Sequence, residues 1–100
     1  MTTSDAPDSQ DDFPGLPPID FSGMIISFGT SALINLGAMP DPEGGPLRQD
    51  LAAAKQTIDM LAMLKDKTKG NLTHEEEQLL NKLVLDLRLA FVNATGGKAP

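Results

Sequence analysis

The side chains that could do acid–base or metal chemistry are few, and most of them fall in one short segment. The only histidine, His74, is followed directly by three glutamates, Glu75 to Glu77, and the chain contains no cysteine. A metal site needs several convergent ligands, and here no second histidine or cysteine completes a set. We therefore interpret His74 as a surface residue at the start of a helix and the glutamates as its solvated first turn.

Two further carboxylates sit where helix ion pairs are expected. Asp59 follows Lys55 by four residues, which favours a pair on one helix face, and Asp86 borders an apolar stripe from which it could reach a basic residue of a neighbouring helix. Neither arrangement predicts a catalytic, cofactor or metal site, so we expect no enzyme. An enzyme of unrecognised type is kept as a second alternative, and it would use Glu75, Glu76, Asp59 or Asp86.

Charge and composition argue against nucleic acid and nucleotide partners. The net charge is −6, and residues 1–20 hold five aspartates and no base, while the rest of the chain is close to neutral. Phosphate backbones attract basic surfaces, and bases stack on aromatic side chains, but this chain has no Trp and no Tyr. Gly44-Gly45 is followed by Pro46 and lacks the Lys-Ser/Thr of a phosphate-binding loop. No cofactor is expected.

The N-terminal stretch also bears on location. It is acidic and proline-containing, unlike the basic and then apolar start of a secretory signal, and the absence of cysteine fits a reducing compartment. We therefore do not expect a secreted protein.

Residues 1–19 form an acidic, proline-containing arm that we predict to be disordered, because it has too little apolar surface to offset the entropy of ordering. Its segment FPGLPPI carries Phe13, Leu16 and Ile19. These three residues either anchor the arm on the body of the protein or form a docking peptide for another protein's groove.

The remainder predicts an all-α fold of three helices. Pro17-Pro18 exclude a helix interior, Asp20 is a good N-cap and Gly37 a good C-terminal stop, so the first helix should span 20–36. A stretch rich in proline and glycine then forces an irregular connection. The second helix should occupy 47–69.

The junction KTKGNLTHEEE is the clearest local signal. Its lysines suit the last turn of the second helix, Gly70 suits a left-handed stop, and Thr73 with Glu76 forms a capping box for a third helix over 74–94. So short a linker predicts an antiparallel hairpin. The three-helix domain should span 20–95, followed by a frayed terminus at 96–100.

Helical periodicity assigns more apolar surface than one small core can cover. The third helix has a core stripe, made of Leu79, Leu80, Leu83, Val84, Leu87, Ala90 and Phe91, and an opposite stripe of Leu85, Leu89 and Val92. The second helix directs one set toward the hairpin, namely Leu47, Leu51, Ala54, Ile58, Leu61 and Leu64. Met60 and Met63 extend its apolar surface further round.

The first helix lies in a charge-free run from Phe21 to Met39. Its apolar residues span an arc of about 200°, wider than the stripe a surface helix buries. The rest is a stripe of small residues: Gly23, Ser27, Thr30, Ser31 and Gly37. This stripe is a wet face, a close helix crossing or part of a membrane span. Acidic flanks and the lack of Trp, Tyr or Lys anchors oppose the membrane option.

The excess apolar surface predicts self-association. About 70 ordered residues supply only about 3–5 kcal/mol from one core, and small scaffolds often add oligomerisation. We predict a homo-oligomer, most simply a dimer, whose interface contains Gly23, Ser27, Phe28, Ser31, Met60, Met63, Leu85, Leu89 and Val92. The alternatives are an exposed but harmless second stripe, and a membrane-associated adaptor that uses the helix within 21–39.

Several segments resemble a known family. They are DFSGMIISFGTSALINLG, the proline turn MPDPEGG, and AKQTIDMLAMLKDKTKGNLTHEEEQLL followed by DLR. Over about residues 20–92 the chain resembles the uncharacterised bacterial proteins grouped as domain of unknown function 1844. The resemblance implies a short, mainly helical, cytoplasmic bacterial protein with no established activity, and it supplies no catalytic residue.

Overall fold

The computed structural model describes residue 15 and residues 17–97 of the 100-residue chain. Within these residues it contains three α-helices and no strand: α1 over Phe21–Leu36, α2 over Leu51–Lys67 and α3 over His74–Ala94. Each helix packs against the other two. The predicted all-α, three-helix fold is confirmed, while the arm up to residue 14 and residues 98–100 lie outside the described part.

The ends of α1 follow from local sequence. The Asp20 carboxylate accepts a hydrogen bond from the Gly23 backbone N–H at 2.7 Å, which satisfies one of the free donors of the first turn. At the other end Gly37 adopts a left-handed conformation with φ 78°, and its N–H donates to the Ile34 carbonyl. A side chain at Gly37 would be strained in this conformation.

The connection after α1 folds back onto the end of that helix. The Asp50 N–H donates to the Asn35 carbonyl at 2.7 Å, and the Gln49 side-chain amide donates to the Leu36 carbonyl at 3.1 Å. These bonds place the start of α2 beside the end of α1. Because the two helices also pack along their lengths, α1 and α2 run antiparallel.

The prediction that the second helix begins at residue 47 is wrong, because α2 begins at Leu51. Asp50 is its N-cap and accepts a hydrogen bond from the Ala53 N–H at 3.0 Å. The residues just before Leu51 are held in the connection by the bonds to α1. Leu47 is therefore not on the helix face that meets the hairpin, and it is 61% exposed.

The end of α2 also falls two residues before the predicted one. The helix stops at Lys67, and Thr68 is its C-cap, with its N–H donating to the Leu64 carbonyl. Gly70 has a φ of 86° but lies in the turn beyond the cap. Lys65 and Lys67 are in the last turn as predicted, whereas Lys69 lies outside the helix.

A capping box starts α3, as the sequence predicts. The Thr73 hydroxyl accepts from the Glu76 N–H at 3.1 Å, and the Thr73 N–H donates to the Glu76 carboxylate at 2.9 Å. Two backbone donors of the helix start are thus satisfied reciprocally. The six-residue connection and the packing of α2 against α3 form the predicted hairpin.

Thr73→Ala should destabilise the folded chain by about 1 kcal/mol, because it removes the side-chain acceptor at the helix start. For a domain of this size that corresponds to a fall in Tm of about 4–8 °C in a thermal unfolding experiment followed by circular dichroism. Ser27→Ala is the control. It also removes one hydroxyl, but from a solvent-exposed position in the middle of α1, and it should leave Tm unchanged or slightly higher. Equal Tm values for Thr73→Ala and the unmodified chain would contradict the capping role.

One apolar core is shared by all three helices. Its buried hydrophobic members are Ile25, Ala32, Leu36, Ala54, Ile58, Leu61, Leu80, Val84, Leu87 and Phe91. The predicted core stripe of α3 is confirmed, since its remaining members are partly buried and pack against this cluster. No polar or charged side chain is buried anywhere in the described residues. The core therefore stabilises the fold by apolar packing alone.

A glycine lets α1 approach α3 closely. A Cβ atom built on the buried Gly29 would lie 2.9 Å from Cδ2 of Leu83, nearer than real side-chain contacts allow. Gly29 is two residues from Ser27 and from Ser31, so those serines project from the other side of α1, where they are exposed. The close crossing inside the chain thus uses Gly29, which is not one of the small residues of the predicted stripe.

Candidate interaction surface

The ion-pairing carboxylates are paired along single helices. Lys55 Nζ lies 2.7 Å from Asp59 Oδ2, which confirms the predicted pair on α2, and Lys82 Nζ lies 2.8 Å from Asp86 Oδ2 on α3. Asp86 therefore meets a base of its own helix and not of a neighbouring one. All four side chains are largely exposed, so the pairs contribute little to stability.

The histidine and the three glutamates that follow it lie at the start of α3. His74, Glu75 and Glu77 are exposed, and Glu76 is engaged in the capping box. In the part of the chain that the structure describes, no three His, Cys, Asp or Glu side chains lie close enough together to hold a metal ion. The arrangement fits the interpretation of a solvated first helical turn.

Two open clefts lie at the ends of the bundle. The first, of about 380 Å³, lies between the end of α1 and the connection to α2, with Asp41 and Arg48 on its walls. The second, of about 460 Å³, lies at the turn of the hairpin, where Lys65 and Lys69 are balanced by Asp66 and Glu77. Neither cleft contains a buried polar side chain among the described residues, so neither offers the fixed polar groups that orient a small ligand.

The most exposed large apolar side chains on the three helices are two leucines of α3. Leu85 is 60% exposed and Leu89 is 57% exposed, while Val92, one turn further on, is partly buried. Helical geometry places all three opposite the buried stripe of Leu80 and Leu87. We define the outer face of α3 as Lys82, Leu85, Leu89 and Val92. Lys82 was missed from sequence, although its three-residue spacing from Leu85 could have included it.

The other predicted interface residues lie elsewhere on the bundle. On α2, Met60 and Met63 are 42% and 54% exposed, and on α1 both Ser27 and Ser31 are exposed and Gly23 is partly so. Phe28 is partly buried and packs against the core. Because each helix turns its buried side toward one shared core, the outer sides of the three helices point in different directions. The structure therefore does not gather the nine predicted residues into one patch.

The three apolar residues of the N-terminal arm can be followed only at Ile19. This side chain is 65% exposed, and its Cδ1 lies 3.6 Å from the position that a Cβ on Gly23 would take. Ile19 thus bends back toward the first turn of α1. Phe13 and Leu16 lie outside the described residues, and the docking peptide stays a prediction.

The charge-free first helix was the one candidate for a membrane span. In the described residues α1 has 16 residues, and none of the three helices is both long and apolar enough to cross a bilayer.

Over the described residues the chain is an all-α fold of three helices around an apolar core, with two leucines exposed on the outside of the last helix. The chain belongs to the family described as Domain of unknown function (DUF1844), which matches residues 18–93 and so includes all three helices. The resemblance seen in the sequence is thereby confirmed. Searches of curated proteins and of solved structures found no match.

Proposed function

We propose that this protein is a non-enzymatic helical interaction module that self-associates through the outer face of α3. The proposal rests on one observation: Leu85 is 60% exposed and Leu89 is 57% exposed. Both lie on a helix whose opposite side is buried in the core. Exposed apolar groups that share one face are typical of a protein–protein contact.

Energetics supports a second copy as the occupant of this face. Fully burying an exposed leucine side chain is worth about 1.5–3 kcal/mol. Because Leu85 and Leu89 are 60% and 57% exposed, a little over half of that remains available at each, and a two-fold contact would bury both from each copy. A single core of this size stabilises a chain by only about 3–5 kcal/mol, so association would add a sizeable fraction to its stability.

The size of the contact indicates reversible association. The helix α3 has 21 residues, which makes it about 30 Å long, and a strip about 10 Å wide along it covers roughly 300 Å² per copy. Stable interfaces bury about 800 Å² per partner. The estimated contact is well below that size, so we expect a weak dimer whose population rises with concentration.

The non-enzymatic part of the proposal is supported by how the carboxylates are used. Asp59 and Asp86 are in exposed ion pairs, Asp20 and Asp50 cap helices, and Glu76 is in the capping box. These roles are structural. The carboxylates that line the two clefts without such a role, Asp41, Asp66 and Glu77, are all exposed to water, which is not the environment that tunes a catalytic acid or base.

The test is the molar mass of the intact chain, measured by sedimentation equilibrium or light scattering from low to high micromolar concentration. The mass should rise from 10.6 kDa toward twice that value as concentration increases. A mass that stays at 10.6 kDa while circular dichroism reports a helical, cooperatively folded chain would overturn self-association.

A further inference from the structure

We draw no further inference here: the strongest candidate, the exposed apolar patch of Leu85 and Leu89 on the outer face of α3, belongs to the surface already described, and nothing in the structure shows what covers it.

Discussion

Replacing Leu85 and Leu89 together by lysine should leave a monomer of 10.6 kDa whose three helices are intact. Both leucines are mostly exposed in the folded chain, so lysine at these positions faces water and adds no buried charge. In the dimer the same change puts four ammonium groups at the centre of the contact. We expect association to weaken by at least about 100-fold, because those charges lose water without gaining partners. The measurement is molar mass by sedimentation equilibrium.

Matched substitutions on another helix identify the face. Met60→Lys with Met63→Lys makes the same chemical change at two exposed apolar residues of α2, and the dimer should persist. Dissociation by the methionine pair but not by the leucine pair would place the contact on α2 and contradict our assignment. Circular dichroism of both double variants should match the unmodified chain, so that a changed mass reports association and not folding.

The helix ends show which features of the fold could be predicted from sequence. The caps of α1 and α3 are local: they are Asp20, Gly37 and the capping box of Thr73 with Glu76. Each forms hydrogen bonds only with groups up to four residues away, so these bonds depend little on how the helices pack. The boundaries that depend on these residues were predicted correctly to within one residue. Local chemistry of this kind is readable from the chain alone.

The start of α2 shows what sequence reasoning could not reach. Part of it is a local signal that was overlooked: Asp50 is an N-cap of the same kind as Asp20, and its carboxylate accepts from the Ala53 N–H. The rest is set by hydrogen bonds from Gln49 and Asp50 to the last carbonyl groups of α1, more than a dozen residues earlier. Such a contact leaves no periodic pattern in the sequence. The apolar Leu47 made the predicted helix begin at residue 47, before the true start at Leu51. Gly29 was missed for the same reason, because its role appears only when Leu83 of another helix lies beside it.

The candidate site was partly predictable. Periodicity separated the two stripes of α3, and the structure agrees that Leu85 and Leu89 are exposed while Leu80 and Leu87 are buried. Periodicity along one helix cannot say how the outer faces of three helices are arranged relative to one another. The prediction therefore combined residues of α1, α2 and α3 that the bundle directs to different sides.

Truncating a buried leucine and an exposed leucine of α3 should have very different effects on stability. Leu80→Ala should lower the free energy of unfolding by about 2–5 kcal/mol, because Leu80 is fully buried and its truncation leaves a cavity in the shared core. A domain of this size is stabilised by only about 3–5 kcal/mol, so the substitution should remove a large part of that stability. The measurement is urea unfolding followed by circular dichroism, at a concentration where the unmodified chain is monomeric.

Leu85→Ala is the matched control, since it makes the same truncation five residues along the same helix. At that low concentration its free energy of unfolding should stay within about 0.5 kcal/mol of the unmodified chain, because Leu85 is 60% exposed in the monomer. At high concentration the difference should grow, since the dimer then contributes to the apparent stability and needs Leu85. Equal losses for the two variants in the monomer would mean that both sides of α3 belong to the core, and no face would remain for a second copy.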